Sequence, residues 1–153
     1  MRRKRIMIIG PTNCGKTTLA YALNECDGPI KKTQNIIYGK NTIDVPGSYI
    51  ENVWMYKYLI SAVQDASLVL VLVDQSSSDT VYSPGFARVF NQPVLGVITK
   101  TDVNPENEEF CMRQLMITGI DEPIFKICAK SGEGISALQE YLFQQINGNE
   151  GKT

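Results

Sequence analysis

Gly10-Pro11-Thr12-Asn13-Cys14-Gly15-Lys16-Thr17 decides how the rest of the chain is read. The stretch fits G-x-x-x-x-G-K-[ST] without a mismatch, and that pattern serves one chemistry. Its glycines let the backbone wrap closely around an anion, so that successive N–H groups form a concave nest. A helix opening at Lys16 presents the positive end of its dipole, about half an elementary charge, to the same anion. Lys16 then reaches β- and γ-phosphate oxygens and the Thr17 hydroxyl binds Mg2+. Chance produces the pattern in on the order of 1% of chains this long, and here the flanks also agree. An apolar strand over 5–9 precedes it and a helical pattern over 16–23 follows. Gly10, Pro11, Thr12, Asn13, Cys14, Gly15, Lys16, Thr17 and Thr18 are the candidate phosphate-binding residues. Cys14 sits near the helix N-terminus and Lys16, where a thiol pKa tends to fall. It is either a redox-active group or, more simply, a loop-filling one.

Outward from this loop, apolar runs alternate with helical patterns, the signature of βα units and a largely parallel sheet. Residues 35–38 and 42–45 read as short strands joined through Gly39-Lys40-Asn41, a hairpin signal, and Pro46-Gly47 breaks the chain. Residues 51–62 have the spacing of a helix, with Trp54, Tyr58, Leu59 and Ala62 expected on its inner face. The run 68–73 reads as a central strand covered on both faces, and 94–98 as a second. Between them only 86–90 looks helical. Asn104-Pro105 opens a helix carrying Phe110, Leu115 and Met116 and stopping at Gly119; 124–127 is a last strand and 135–146 a last amphipathic helix. The chain reads as one domain over 1–147 with a polar, frayed tail over 148–153.

Composition narrows the chemistry. The chain has 153 residues, 43% hydrophobic and 20% charged, which argues against disorder. A net charge of −1 gives no global field for nucleic acid or anionic membrane. The absence of histidine removes Ser-His-Asp and Cys-His hydrolases, histidine-ligated zinc and imidazole acid–base chemistry. Cys14, Cys26, Cys111 and Cys128 are scattered, with neither zinc spacing nor a disulfide framework, so a reducing cytoplasm is the natural setting. Arg2-Arg3-Lys4-Arg5 leads an apolar stretch too short for a signal peptide and reads as a solvated cluster or an address. No run approaches the roughly 18–20 residues of a membrane span.

Further elements complete a nucleotide site. Asp44, closing a strand ahead of Val45-Pro46-Gly47, is placed to hold Mg2+ through water. The Gly47 N–H can meet a γ-phosphate, which makes this segment sensitive to its loss. Thr33, between the first helix and the second strand, offers a hydroxyl that can close over the metal. Thr99-Lys100-Thr101-Asp102 follows a strand, where an open α/β sheet places its ligand contacts. The Asp102 carboxylate can accept both the N1–H and the 2-amino group of guanine, a pair adenine lacks, and the Lys100 stem can lie over the base. Cys128-Ala129-Lys130 follows the last strand and offers an N–H from Ala129 or Lys130 to guanine O6.

The set Gly10–Thr17, Asp44–Gly47, Thr99–Asp102 and Cys128–Lys130 resembles the small Ras-like, Era-type GTPases over the whole chain. Lys32-Thr33-Gln34, Ile43-Asp44-Val45-Pro46-Gly47-Ser48-Tyr49, Tyr82-Ser83-Pro84-Gly85-Phe86 and Gln92-Pro93-Val94 are similar to the EutP/PduV family, nearer its PduV branch. These are accessory proteins of bacterial ethanolamine and 1,2-propanediol utilisation. The resemblance implies a three-layer α/β fold of the P-loop NTPase (Ras-like G domain) type. Its sheet is six-stranded and mostly parallel, with one antiparallel edge strand and helices on both faces. The resemblance also implies GTP or GDP with Mg2+ as ligands, and Lys16, Thr17, Thr33 and Gly47 as the catalytic set. It further implies a cytoplasmic place beside catabolic microcompartments, with shell proteins, pathway enzymes, an activator or a second copy as partners.

Because the ethanolamine branch is linked with acetate-kinase-type transfer from ATP, ATP stays open as the nucleotide. Two departures stand out. Thr99 replaces the commoner Asn of the base-reading tetrad, removing some loop-bracing hydrogen bonds. Ser48 stands where Ras-type enzymes carry a water-orienting glutamine, which predicts slow hydrolysis. Three functions follow: a slow regulatory GTPase, a small-carboxylate kinase with Lys32 or Lys57 facing the acceptor, or a non-catalytic protein stabilised by nucleotide. A nucleoside-monophosphate kinase is disfavoured, because beyond the N-terminus only Arg88 and Arg113 are available for an arginine-rich lid.

Overall fold

Alternation in the first apolar run sets the layers of the molecule. The computed structural model describes residues 5–11, 14–24, 36–38, 41–78, 82–120, 123–128 and 130–150. β1 (Arg5–Ile9) turns Ile6 and Ile8 to one face and Met7 and Ile9 to the other, all buried. The loop after it leads into α1 (Lys16–Asn24). β2 (Ile37–Tyr38) and β3 (Thr42–Asp44) pair antiparallel, as the hairpin signal required. Then come α2 (Ser48–Glu51), α3 (Tyr56–Ala62), β4 (Ala66–Asp74), β5 (Val94–Thr99), α4 (Glu108–Ile117), β6 (Ile124–Lys126) and α5 (Ile135–Glu150). The strands lie in the order β2-β3-β1-β4-β5-β6, and every adjacent pair except β2 and β3 is parallel. This is the six-stranded, mostly parallel sheet with one antiparallel edge strand that the sequence predicts.

β4 divides its side chains by type. Leu68, Leu70 and Leu72 enter the layer formed with Leu19, Ala20 and Leu23 of α1 and Leu138 and Leu142 of α5. Val69, Val71 and Val73 face the other layer, filled by Ile50, Leu59, Tyr82, Phe86, Phe90 and Leu115. Each such side chain stabilises the fold by about 1.5–3 kcal/mol relative to exposure. The helices are also fixed end-on. The Asn24 side chain accepts from the Asn41 N–H (2.6 Å) and donates to the Thr42 hydroxyl (2.8 Å), while Asn41 donates to the Leu23 carbonyl (2.9 Å). The end of α1 is thereby bound to the start of β3. Gln139 of α5 donates to the Ala22 carbonyl, joining the two helices of that layer.

Two expectations need correction. The helix expected over 51–62 is broken: Asn52 is extended (φ −123°, ψ 112°) and a 3-10 turn over Val53–Met55 separates α2 from α3. The break shifts the helical phase. Leu59 and Ala62 are buried as expected, but Trp54 is 67% and Tyr58 45% exposed. The last helix does not stop at Ile146 but runs to Glu150, because Gly148 weakens an exposed helix by only about 1 kcal/mol and no proline stops it. Among the described residues, no helix is long and apolar enough to cross a membrane.

Burial predicts unequal responses to truncation. Leu70→Ala, in the fully buried centre of β4, lowers stability by about 2–5 kcal/mol. Trp54→Ala, at an exposed site, changes it by less than about 0.5 kcal/mol. Denaturant titrations of both variants check the contrast, and a costly Trp54→Ala would place the indole in the core.

Candidate nucleotide-binding site

Because β1, β3, β4, β5 and β6 run parallel, their carboxyl ends share one sheet edge, where α/β sheets bind ligands. That edge gathers the Gly10–Lys16 loop after β1, Asp44 at the end of β3, Thr99 at the end of β5 and Cys128 beyond β6.

The loop is folded onto β4. A Cβ at Gly10 would stand 2.6 Å from Cys14 Sγ and 3.0 Å from Leu72 Cβ, so the backbone comes too close for any side chain; Gly15 has φ +100°. The Pro11 carbonyl accepts from the Cys14 N–H (3.3 Å) and from Lys16 Nζ (2.7 Å). Lys16 is only 7% exposed, and among the described residues no carboxylate pairs with it. A buried ammonium without a counter-charge is costly. A phosphate group supplies that charge, so the loop fits a polyphosphate. Thr17 and Thr18 occupy the first turn of α1, with Thr18 half-buried. Thr12 and Asn13 lie outside the described residues.

Cys14 departs from the sequence expectation only in its titration. It is fully buried, and burial outweighs the nearby Lys16 ammonium and pushes the thiol up from 9.0 to about 11. A neutral, enclosed thiol is a loop-filling group, the simpler of the two readings of the sequence. Burial likewise raises Cys111.

On the metal side, Asp44 is half-buried and pairs in register with Ile8 of β1, and the Val45 N–H donates to the Ile8 carbonyl (3.2 Å). The carboxylate therefore stands on the strand next to the one that enters the phosphate loop. Gly47 is buried and stands at the N-cap of α2, its carbonyl accepting from the Ile50 and Glu51 N–H groups. No group of three or more His, Cys, Asp or Glu able to cage a metal occurs among the described residues. A carboxylate and a hydroxyl, the oxygen donors of Asp44 and Thr17, suit Mg2+, which keeps waters and phosphate oxygens as its remaining ligands. Thr33 lies outside the described residues.

On the base side, two loops are tied together. Thr101 donates to the Ile127 carbonyl from its N–H (3.3 Å) and its hydroxyl (3.2 Å), and the Ile127 N–H donates to the Ile98 carbonyl (2.9 Å). Cys128 exchanges backbone hydrogen bonds with the Ser131–Gly134 turn, where its N–H donates to Glu133 and its carbonyl accepts from Gly132. Asp102 is exposed and has no side-chain partner among the described residues. Lys130 is exposed, and Ala129 lies outside the described residues. Lys100 adopts φ +57°, and its ammonium is held 3.0 Å from the Asp74 carboxylate.

Sequence reasoning missed three contributors. Asp74 ends β4 and accepts from both the N–H and the hydroxyl of Ser76 besides pairing with Lys100. Gln75, next to it, is buried and donates to the Thr101 and Val103 carbonyls. Gly134 (φ +82°) packs so tightly that a Cβ would overlap the Lys126 carbonyl oxygen, which fixes the turn after Cys128. The polar pair Asp74-Gln75 closing a long apolar strand was the available signal, since strand ends carry ligand contacts.

A fold of this layout is shared with other proteins. The profile described as "Ethanolamine utilisation - propanediol utilisation" (PduV-EutP) matches residues 3–144. The chain belongs to the PduV-EutP family. It is 30% identical over 139 residues to "Propanediol utilization protein PduV" of Citrobacter freundii, covering 91% of this chain and 93% of that one. It is also 30% identical over 142 residues to "Probable acetate kinase EutP" of Escherichia coli strain K12, covering 91% and 89%. Among solved structures it superposes on a "probable GTP-binding protein engB" with a TM-score of 0.67 at 21% identity, covering 94% of this chain and 99% of that one. The elongation factor SelB of Methanococcus maripaludis, bound to the GTP analogue GPPNHP, gives 0.66 at 24% identity, covering 96% of this chain and 34% of that one. The family thus has the fold of the P-loop GTP-binding proteins.

The buried thiols give a direct check on the loop. Iodoacetamide at pH 8 leaves Cys14, Cys111 and Cys128 unmodified in the folded protein and labels them in denaturant, as read by peptide mass mapping. Native labelling of Cys14 at the rate of a free thiol would show that the loop does not hold it.

Proposed function

We propose that the protein binds guanine nucleotide with Mg2+ and hydrolyses GTP slowly, as an accessory or regulatory protein of ethanolamine or 1,2-propanediol utilisation. One observation carries the guanine reading: Asp102, exposed and without a side-chain partner among the described residues, stands on a loop stitched to Ile127 at the same sheet edge as the phosphate loop. A carboxylate held there meets the N1–H and 2-amino donors of guanine. The pathway assignment rests on the family and on the name of the Citrobacter relative, and association with a microcompartment extends the same assignment.

The chain's residues divide the work of hydrolysis. Backbone N–H groups of the loop and the first turn of α1 bind the phosphates. The Lys16 ammonium, already inside the loop, exchanges its Pro11 carbonyl for β- and γ-oxygens and stabilises charge that spreads onto them. Thr17 and Asp44 would hold Mg2+, with Thr33 as a further ligand, and the ion would supply neutralising charge to the phosphates. Gly47 offers its N–H to the γ-phosphate. Ser48 begins α2 and carries no carboxamide to orient the attacking water. The expected turnover is therefore near or below the roughly 10⁻⁴ s⁻¹ of unassisted Ras.

The name of the Escherichia coli relative favours a second reading, in which a small carboxylate takes the γ-phosphate from ATP. A cation facing that acceptor is needed. Lys57 is exposed on α3, its ammonium 5.2 Å from the Tyr58 ring, and Lys32 lies outside the described residues.

Calorimetry with Mg2+ should show GDP and GTP binding more tightly than millimolar and more tightly than ADP and ATP. Asp102→Asn should transfer the preference to xanthosine diphosphate, whose 2-carbonyl accepts from the new amide. An adenosine preference in the parent protein would overturn the base assignment while leaving the phosphate loop in place. Single-turnover assays of the purified protein should give GTP hydrolysis well below about 1 s⁻¹. Coupled assays with ATP or GTP, with and without acetate, separate the two readings, since only the second yields acetyl phosphate.

A further inference from the structure

Asp102 has no side-chain partner among the described residues to aim it, so the backbone on either side of it must be held. Thr99 does not hold it: its hydroxyl turns back to the Val73 carbonyl (3.3 Å) within the strand pair. Gln75 does. Its amide nitrogen donates to the Thr101 carbonyl (3.2 Å) and to the Val103 carbonyl (2.9 Å), the residues that bracket Asp102. Its own backbone is fixed in turn, the N–H donating to the Thr99 carbonyl (3.0 Å) and the carbonyl accepting from the Asn107 amide (2.9 Å).

The side chain is 2% exposed, and its Oε1 is buried with no partner among the described residues. The amide cannot flip to relieve that oxygen, because the flipped form would set it against two carbonyl oxygens. A buried acceptor left alone is a cost to stability. The position bears it while supplying both hydrogen bonds to the base-reading loop. Val103 is itself exposed, so the clamp adds a hold on its side of Asp102 to the ties that Thr101 makes to Ile127.

We propose that Gln75 is the positioning residue for purine recognition, its amide clamping the carbonyls on both sides of Asp102 and so setting the carboxylate for a base with an N1–H and a 2-amino group. It takes over the bracing that the missing asparagine at position 99 would provide. The proposal rests on the guanine reading above.

The test measures, by calorimetry with Mg2+, the binding of GDP, inosine diphosphate (which lacks the 2-amino group) and inorganic tripolyphosphate to the parent protein, Gln75→Met and Gln75→Asn. The parent protein prefers GDP over inosine diphosphate by about tenfold or more, because its carboxylate is otherwise left half-paired. Gln75→Met brings that ratio toward one and weakens GDP by about tenfold, with tripolyphosphate binding unchanged. Gln75→Asn, whose shorter amide reaches one carbonyl, falls between. A parental ratio retained in both variants overturns the proposal, whether or not their affinities fall together. Loss of tripolyphosphate binding in both would make Gln75 a general support of the sheet edge and would overturn it as well. A parent protein that does not distinguish the two diphosphates removes the guanine reading itself, and that result is visible before any variant is made.

Discussion

A central strand enclosed on both faces depends on the layers that cover it, and here those layers are what place the site. β4 lies between β1 and β5, with its leucines against α1 and α5 and its valines against the opposite layer. The phosphate loop is pressed onto that same strand at Leu72, and the base-reading loop is tied to its end through Asp74 and Gln75. Packing and recognition therefore share one element. The dense interior transmits displacement rather than absorbing it, so the two halves of the site keep their spacing only while β4 is held from both sides.

Electrostatics reinforces this arrangement. A lysine ammonium and a neutral thiol are enclosed together at the turn into α1, with the Asp74–Lys100 pair close enough to bear on the thiol. The thiol stays protonated because water is excluded, and among the described residues the ammonium is met by a carbonyl and not by a carboxylate. That imbalance suits an anionic ligand. Near Asp102 the order is reversed: the carboxylate is in solvent while neutral amide bonds behind it are buried.

Much of this was legible in the sequence, for physical reasons. Continuous apolar runs pointed to buried parallel strands, and the glycine-rich turn between a strand and a helix pointed to the fold and marked the loop proposed to bind phosphate. Features that depend on distant parts of the chain were not legible. Local context placed Cys14 beside positive charge, whereas its titration follows from burial by parts of the chain distant in sequence. Gln75 bonds to carbonyls 26 and 28 positions downstream, so its own neighbourhood marks a polar strand end but not the partners it holds. The break at Asn52 was hidden for another reason: one extended residue shifts the phase of everything after it without disturbing the apolar composition on which the periodicity rests.

That break has an optical consequence. The chain has a single tryptophan, and the short turn beyond Asn52 sets it in water, a few positions past the Gly47 that would meet a γ-phosphate. Its indole emission is thus a built-in reporter of this one segment. A blue shift would signal that something has covered the turn, whereas melting of the core would leave the indole, already solvated, nearly silent.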